Sequence, residues 1–126
     1  MSSSADRNSR KHTVHRGRRF EKQAALFFEQ NGYTVIERNW QASHLEIDLV
    51  VRRDNLIVFV EVKSASGTGF GHPVEKVDRR KVSNLTKAAR QFIVEHDISG
   101  CDLRFDVVTF TGGKLEHFPG AFEAMD

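Results

Sequence analysis

The segment LEIDLVVRRDNLIVFVEVK, at positions 45–63, decides the fold and carries the most informative charges of the chain. Two apolar runs typical of buried strands flank a polar stretch in which Asp54 and Asn55 are turn formers. The pattern therefore predicts an antiparallel hairpin over residues 44–63, closed by a two-residue turn at Asp54 and Asn55. Both runs also carry charges, and a buried carboxylate costs on the order of several kcal/mol unless something pairs with it.

The register of this hairpin predicts which charged residues meet. Side chains alternate along a strand, and the two-residue turn places Asp48 opposite Glu61 and Glu46 opposite Lys63. Opposed side chains lie about 4.5–5.5 Å apart at Cβ, so these four polar groups are predicted to converge on one face. The predicted apolar faces are Leu45, Ile47, Leu49 and Val51 in the first strand and Val58, Val60 and Val62 in the second.

The charges on this face are typical of a divalent-metal site. Two facing carboxylates cannot both ionise cheaply unless a cation lies between them. Mg²⁺ is usually held by one or two carboxylates together with waters and substrate phosphate, so Asp48 and Glu61 are the predicted ligands of Mg²⁺ or Mn²⁺. Such an ion can generate hydroxide at a phosphodiester, while Lys63 orients the water or stabilises the transition state. The alternative is that Glu61, Val62 and Lys63 form the solvent face of an amphipathic strand.

Periodicity along the chain predicts the order helix, three strands, helix, strand, which is an α/β fold with a mixed central sheet flanked by helices. Glu21 lies in the first turns of the first helix, where either a site role or the helix dipole would favour a carboxylate. Lys81 lies in the first turn of the second helix, where it is either a phosphate contact or a solvated lysine. The predicted elements are a helix at 16–31, a strand at 33–40, the hairpin, a Gly- and Ser-rich loop at 64–73, a helix at 78–96, strands at 103–110 and 114–118, and a helical turn at 121–125.

An acid on the first helix, an Asp on a strand and Glu-x-Lys on the next strand resemble the PD-(D/E)xK nuclease superfamily, on residues Glu21, Asp48, Glu61 and Lys63. The chain is more closely similar to the YraN-type (UPF0102) family of predicted bacterial endonucleases. The similarity covers residues 16–123. Its further marks are Gly32-Tyr33, Arg38-Asn39-Trp40, Glu46-Ile47-Asp48-Leu49, Phe70-Gly71, Val77 with Lys81, Ala88-Ala89 and Arg104-Phe105-Asp106-Val107-Val108.

This resemblance implies a restriction-endonuclease-like αβββαβ core and nuclease-like chemistry. It implies that Glu21, Asp48, Glu61 and Lys63 are the catalytic residues, with Glu21 completing the acidic cluster directly or through water and a second metal. The family is similar to archaeal Holliday-junction resolvases, which implies branched or structured DNA as the substrate. A resolvase requires two active sites, which is compatible with a homodimer.

Composition limits the remaining possibilities. The 126 residues, 39% hydrophobic with ten Phe, are enough for one domain with one modest core, which we expect to span residues 16–126. The apolar runs are too short to span a membrane, and the N-terminus lacks an apolar signal region, so a cytoplasmic protein is expected. The single cysteine, Cys101, fits that compartment, and six scattered His residues lack the spacing of zinc ligands.

The net charge of +2 is concentrated at the N-terminus, where residues 1–22 hold seven basic and two acidic side chains, a net of +5. A basic arm over residues 1–15 suits a polyanion, and nucleic acid is the natural partner. The alternative is a solvated, disordered tail. The predicted nucleic-acid contacts are Arg16, Arg18, Arg19 and Lys81.

The sequence therefore predicts a Mg²⁺- or Mn²⁺-dependent nuclease that hydrolyses phosphodiester bonds in DNA. Two other classes of protein remain open at this stage. One is a non-catalytic nucleic-acid-binding protein with a nuclease-like fold, and the other is an adaptor that does not bind nucleic acid. Salt-dependent DNA binding separates the adaptor from the other two, and metal-dependent cleavage separates the nuclease from the binding protein.

Overall fold

The computed structural model describes residues 19–65 and 79–125. Within these ranges the fold is mixed α/β, with helices on both sides of a five-stranded sheet, consistent with the predicted αβββαβ nuclease-like core followed by a further strand. The elements are α1 (19–30), β1 (Thr34–Ala42), β2 (Leu45–Arg53), β3 (Leu56–Ala65), α2 (Arg79–Glu95), β4 (Asp102–Thr111) and β5 (Lys114–Phe122). The arm at 1–15, and Arg16 and Arg18, lie outside the described residues.

The strands lie in the order β1-β2-β3-β4-β5. Neighbouring strands are antiparallel except β3 and β4, which are parallel. Parallel neighbours require a long crossover, and the connection between β3 and β4 contains α2. The two strands that carry the predicted site, β2 and β3, therefore lie inside the sheet, with β1 on one side and β4 on the other.

Two apolar clusters attach the helices to opposite faces of the sheet. Residues spaced three and four apart on α1 pack against β2, β3 and β4, whereas the apolar stripe of α2 packs against the other face. The α1 cluster includes Ala24, Ala25, Phe28, Leu49, Val51, Val58, Val60 and Val108, and the α2 cluster includes Ile47, Val50, Ile57, Phe59, Leu85, Ala88, Ala89, Phe92 and Phe105.

The predicted hairpin turn and register are confirmed near the turn. Asp54 and Asn55 close the hairpin, with Asp54 at a φ of 53°, a left-handed conformation that Asp tolerates better than most residues. Arg53 pairs with Leu56, and the same register continues to the pair Leu49 and Val60. A local turn therefore fixes the alignment of the two central strands.

The predicted apolar face of β2 is wrong, because the alternation of side chains changes phase at Asp48. Leu45 and Ile47 belong to the α2 cluster, whereas Leu49 and Val51 belong to the α1 cluster. On β1, the residue between the partners of Ile47 and Leu49 is Asn39, which has a φ of 52°. The irregularity thus crosses both strands at one level, and Asp48 lies at its centre.

Several predicted boundaries change, most of them by one or two residues. Ser64 and Ala65 belong to β3, paired with the end of β4, and the rest of the predicted 64–73 loop lies outside the described residues. The helical turn at 121–125 is wrong, because β5 continues to Phe122. A register shift within the pairing of β4 and β5 allows this extension, and the ring of Phe122 then stacks on Phe105 with centroids 5.1 Å apart.

No helix in ranges 19–65 and 79–125 is long and apolar enough to cross a membrane.

Candidate active site

The candidate site lies where β2 and β3 separate. Their pairing ends at Leu49 and Val60 within the described residues. Beyond that point β2 remains paired with β1 as far as Leu45, and β3 remains paired with β4 as far as Ala65. The sheet therefore divides between two strands that each keep their other neighbour, and the first residues past the division are Asp48 and Glu61.

The carboxylate of Asp48 spans this division. The backbone N–H of Val62 donates a hydrogen bond to Asp48 Oδ2 at 2.8 Å, where a regular ladder would use a backbone carbonyl. The ladder does not extend to the predicted opposed pairs of Asp48 with Glu61 and Glu46 with Lys63. The charged groups consequently meet across a gap rather than as cross-strand neighbours on one pleated face.

Glu61 faces α2, as the regular alternation of β3 predicts from Phe59 in the α2 cluster. Its Oε1 forms an ion pair with Nζ of Lys81, and the two atoms are 2.6 Å apart. The side chain of Glu61 is 8% exposed, and that of Lys81 is 47% exposed. Lys81 was predicted as a nucleic-acid contact, and the structure brings it to a predicted metal ligand instead of leaving it on a remote surface.

Glu21 approaches from the opposite layer. It is buried, and it begins the stripe formed on α1 by Ala24, Ala25 and Phe28, which packs on the sheet. This spacing of three, four and seven residues places the Glu21 carboxylate on the sheet-facing side of the helix. Its negative charge acts on Asp48, so α1 contributes to the same site as β2 and β3.

Four carboxylates, those of Glu21, Glu46, Asp48 and Glu61, form what we call the carboxylate cluster. The pKa of Asp48 is raised from 3.8 to about 8, chiefly by burial and next by the charge of Glu61. The bond from Val62 N–H lowers this pKa, and the charges of Glu21 and Glu46 add smaller increases. Asp48 therefore favours a proton or a bound cation near neutral pH.

The negative charges of the carboxylate cluster also act on the ammonium of Lys81, which they stabilise. Burial alone would lower its pKa, but the hydrogen bond and charge of Glu61 outweigh that effect. The charges of Asp48 and Glu46 raise the pKa further, so the ammonium form prevails. Its charge is the cationic counterpart of this cluster.

Asp48 and Glu61, the predicted metal ligands, carry the oxygen atoms that a hard divalent cation prefers. No group of three or more His, Cys, Asp or Glu side chains in the described part of the chain is arranged to hold a metal ion. Mg²⁺ needs only one or two carboxylates when water and substrate phosphate complete its octahedron. The negative charges that act on Asp48 all belong to carboxylates, and carboxylate oxygens suit Mg²⁺ or Mn²⁺ better than zinc.

The structure also describes Lys63, Arg19 and Glu46, the last of which is the exposed member of the cluster. Lys63 is half-buried on β3, two positions past Glu61, and therefore on the same side of the strand. Glu46 is exposed and accepts a hydrogen bond from Gln41 at 3.4 Å. Arg19 is exposed at the start of the described part of α1, with its guanidinium 5.6 Å from the ring centroid of Phe20.

Sequence reasoning assigned no role to Asp106, whose side chain is fully buried on β4. Arg104 donates two hydrogen bonds of 2.8 Å to its carboxylate and a third, of 3.1 Å, to the hydroxyl of Tyr33. His117 Nε2 lies 2.7 Å from Asp106 Oδ2, and the N–H of Gly120 donates to Oδ1 at 3.0 Å. An Asp between Phe105 and Val107 in an apolar strand was the available signal for a buried network.

The pKa of Asp106 is shifted in the opposite direction to that of Asp48. Burial alone would raise the pKa of Asp106, but the bonds from His117, Arg104 and Gly120 lower it below the ordinary value. The Asp106 bond likewise raises the pKa of Arg104 against the effect of burial. The network joins β4 to β5 and to Tyr33 ahead of β1, which is the role of a structural ion pair.

The fold and site together define a mixed α/β protein with an αβββαβ core and a lysine-paired carboxylate cluster at a division of its sheet. A family model for the Uncharacterised protein family UPF0102 matches residues 20–110. The chain belongs to this family, which is the YraN type.

Relatives support this membership over most of the chain. A UPF0102 protein of Sulfurihydrogenibium sp. is 39% identical over 107 residues, covering 85% of this chain and 93% of the relative. A UPF0102 protein of Persephonella marina is 33% identical over 108 residues, covering 86% and 93%. One of Thermotoga petrophila is 40% identical over 100 residues, covering 79% and 90%.

Proposed function

We propose that this protein is a Mg²⁺- or Mn²⁺-dependent nuclease that hydrolyses phosphodiester bonds in nucleic acid. The observation that carries the proposal is the position and raised pKa of Asp48. Its carboxylate lies at the division of the sheet with a pKa of about 8, because burial and the charges of Glu61, Glu21 and Glu46 act on it together. Perturbed carboxylates grouped in this way are typical of functional sites that hold a cation.

Asp48 and Glu61 would hold the metal, and Glu21 would complete the negative charge around it. A bound divalent ion would supply a nucleophilic hydroxide and would neutralise charge on the phosphodiester. Lys63 lies on the same side of β3 as Glu61, from which it would orient the attacking water or donate to a phosphate oxygen as negative charge develops there. Val62 N–H fixes the Asp48 carboxylate at the gap through its 2.8 Å bond.

DNA with branches or other structure is the proposed substrate, on the basis of the resemblance to resolvases. Lys81 and Arg19 are the described basic residues that would contact phosphates, and Arg16 and Arg18 would add to them. A homodimer with two such sites would suit a junction substrate. The expected compartment is the cytoplasm.

A second candidate function is binding of nucleic acid without cleavage. The ion pair between Lys81 and Glu61, at 2.6 Å, favours it, because an internal cation already neutralises one of the two proposed ligands. In that case the carboxylate cluster would be a structural feature, and the basic residues alone would engage the phosphates.

The test is cleavage of labelled single-stranded, duplex, flap and four-way-junction DNA with Mg²⁺, Mn²⁺ or EDTA. Asp48→Asn keeps an acceptor for Val62 N–H while removing the charge, and Lys63→Ala removes the ammonium. Asp102→Asn, at an exposed position that begins β4, is the matched control. Metal-dependent cutting by wild type and Asp102→Asn, lost in the other two variants, supports the nuclease; binding without cutting on every substrate supports the second candidate.

A further inference from the structure

Lys81 occupies an unusual position for a lysine. Its ammonium lies 2.6 Å from Glu61, and the charges of Glu61, Asp48 and Glu46 all act on it. The first described turn of α2 contains Arg79, Arg80 and Lys81 and no acid, although the dipole of a helix favours acids there. Helix stability therefore does not account for a lysine at this place, whereas the carboxylate cluster does.

We propose that Lys81 is the built-in cation of the carboxylate cluster, which holds Glu61 in the metal-free protein and releases it when a divalent ion binds. The released ammonium then becomes a contact for a substrate phosphate. This inference rests on the proposed metal-dependent nuclease, and it adds a residue that sets the metal affinity of the site and couples metal binding to substrate binding.

The ammonium of Lys81 and a divalent ion would compete for Glu61, because both would lie close to the same carboxylate. The ammonium of Lys81 already takes a lone pair of Oε1, and Mg²⁺ binds carboxylate oxygen at about 2.0–2.1 Å. Both cations on this carboxylate would lie within a few ångströms of each other, where like charges repel strongly in a partly buried site. The two cations therefore compete for Glu61, and binding of one weakens the hold of the other.

Burial decides which partner moves. The side chain of Glu61 is 8% exposed on a strand paired with β4 on one side, whereas that of Lys81 is 47% exposed. Lysine has a flexible four-carbon stem, so it can swing toward solvent without disturbing the sheet. It moves from the end of a helix that already favours phosphate, and its ammonium stays close to where a metal-bound phosphodiester would lie.

The test is titration of the protein with Mn²⁺ in the absence of nucleic acid. Binding is monitored by calorimetry or by the electron paramagnetic resonance signal of free Mn²⁺. Lys81→Gln removes the charge and keeps a hydrogen-bond donor for Glu61. Lys87→Gln is the control, because Lys87 is exposed on the same helix. Lys81→Arg keeps the competing charge.

We expect Lys81→Gln to bind Mn²⁺ about five- to tenfold more tightly than wild type, a change of about 1–1.4 kcal/mol. Lys87→Gln and Lys81→Arg should bind as wild type does. In a second readout, binding of uncleavable phosphorothioate DNA, Lys81→Gln should weaken affinity when Mn²⁺ is present and have little effect in EDTA.

Unchanged or weaker Mn²⁺ binding by Lys81→Gln, with wild type binding normally, would overturn the inference while leaving the proposed metal site intact. Absence of Mn²⁺ binding in wild type and in both Lys81 variants would overturn the inference together with the proposed nuclease. If Lys81→Gln does not fold, tighter binding by Lys81→Met supports the inference and unchanged binding contradicts it.

Discussion

Asp48 and Asp106 lie on interior strands of the same sheet, yet their carboxylates have opposite surroundings. Asp106 receives bonds from Arg104, His117 and Gly120, and its pKa is lowered. Asp48 receives a backbone bond from Val62 while burial and the charges of three glutamates raise its pKa to about 8. Burial is common to both, so the neighbours determine the difference.

The comparison separates a carboxylate that is satisfied within the protein from one whose charged neighbours are mostly other carboxylates. Asp106 is neutralised by protein groups, which leaves no need for an outside cation. Asp48 lies where the sheet divides, and the charges of carboxylates from α1, β2 and β3 act on it, so a proton or a nearby cation is favoured there. A buried carboxylate whose pKa is raised among like charges is more typical of a functional site than of packing.

The largest expected effect is loss of the Asp106 network. Asp106→Ala should lower the free energy of unfolding by about 3–5 kcal/mol, because it leaves Arg104 without its bidentate partner in a buried setting. Denaturant unfolding measures this change. Asp102→Ala, exposed on the same strand, should stay within about 0.5 kcal/mol of wild type. Equal losses for Asp106→Ala and Asp102→Ala would show that the Asp106 network does not stabilise the fold.

The next effect is a pH dependence with opposite signs at the two aspartates. A raised pKa at Asp48 means that its contribution to stability is complete below about 4 and is lost as the pH rises through about 8. A lowered pKa at Asp106 means that its contribution is present above about 4 and is lost only in acid. In EDTA, the free energy of unfolding should therefore fall between pH 5 and 8, by at most about 1.4 kcal/mol per pH unit for one proton.

Asp48→Asn isolates this contribution because the amide does not titrate. Its unfolding free energy, measured in denaturant across pH 5 to 8, should change less steeply than that of wild type. The acid limb, to which the lowered pKa of Asp106 contributes, should stay unchanged. Parallel curves for the two proteins above pH 5 would show that Asp48 is not strained by its neighbours.

The smallest expected effect concerns the hydroxyl of Tyr33, which belongs to the Asp106 network. Tyr33→Phe removes the hydroxyl that accepts from Arg104 at 3.1 Å but keeps the ring that packs edge-on against Phe28. We expect a loss of about 1 kcal/mol in unfolding free energy, the usual contribution of one hydrogen bond. Cleavage activity and Mn²⁺ affinity should not change, and a marked loss of either would mean that the Asp106 network also serves the site.

Local sequence signals predicted the hairpin well, because Asp54 and Asn55 form a turn within four residues of chain and the turn fixes the register. The change of phase at Asp48 was not predictable in this way. It depends on Asn39 in a neighbouring strand and on two strands that each remain paired with a different partner. Simple alternation assumes a continuous ladder and fails where the ladder ends.

The site shows the same limit. Glu21, Asp48 and Glu61 were predicted from a helix, a hairpin and a resemblance, and the charges of Glu21 and Glu61 do act on Asp48. Some partners of the charged groups could not be predicted, because they are distant in sequence. Tyr33 reaches Arg104 across 71 residues, and Lys81 reaches Glu61 from a different element.

The most direct test of the central claim is the effect of Mg²⁺ on thermal unfolding at pH 8, for wild type and Asp48→Asn. A ligand that binds only the folded state stabilises it, and a concentration of about ten times Kd should raise the Tm of wild type by roughly 5 °C. The account predicts this rise in wild type and in Tyr33→Phe, and little or none in Asp48→Asn. An equal rise in Asp48→Asn, or no rise in wild type at millimolar Mg²⁺, would contradict a divalent-cation site at Asp48.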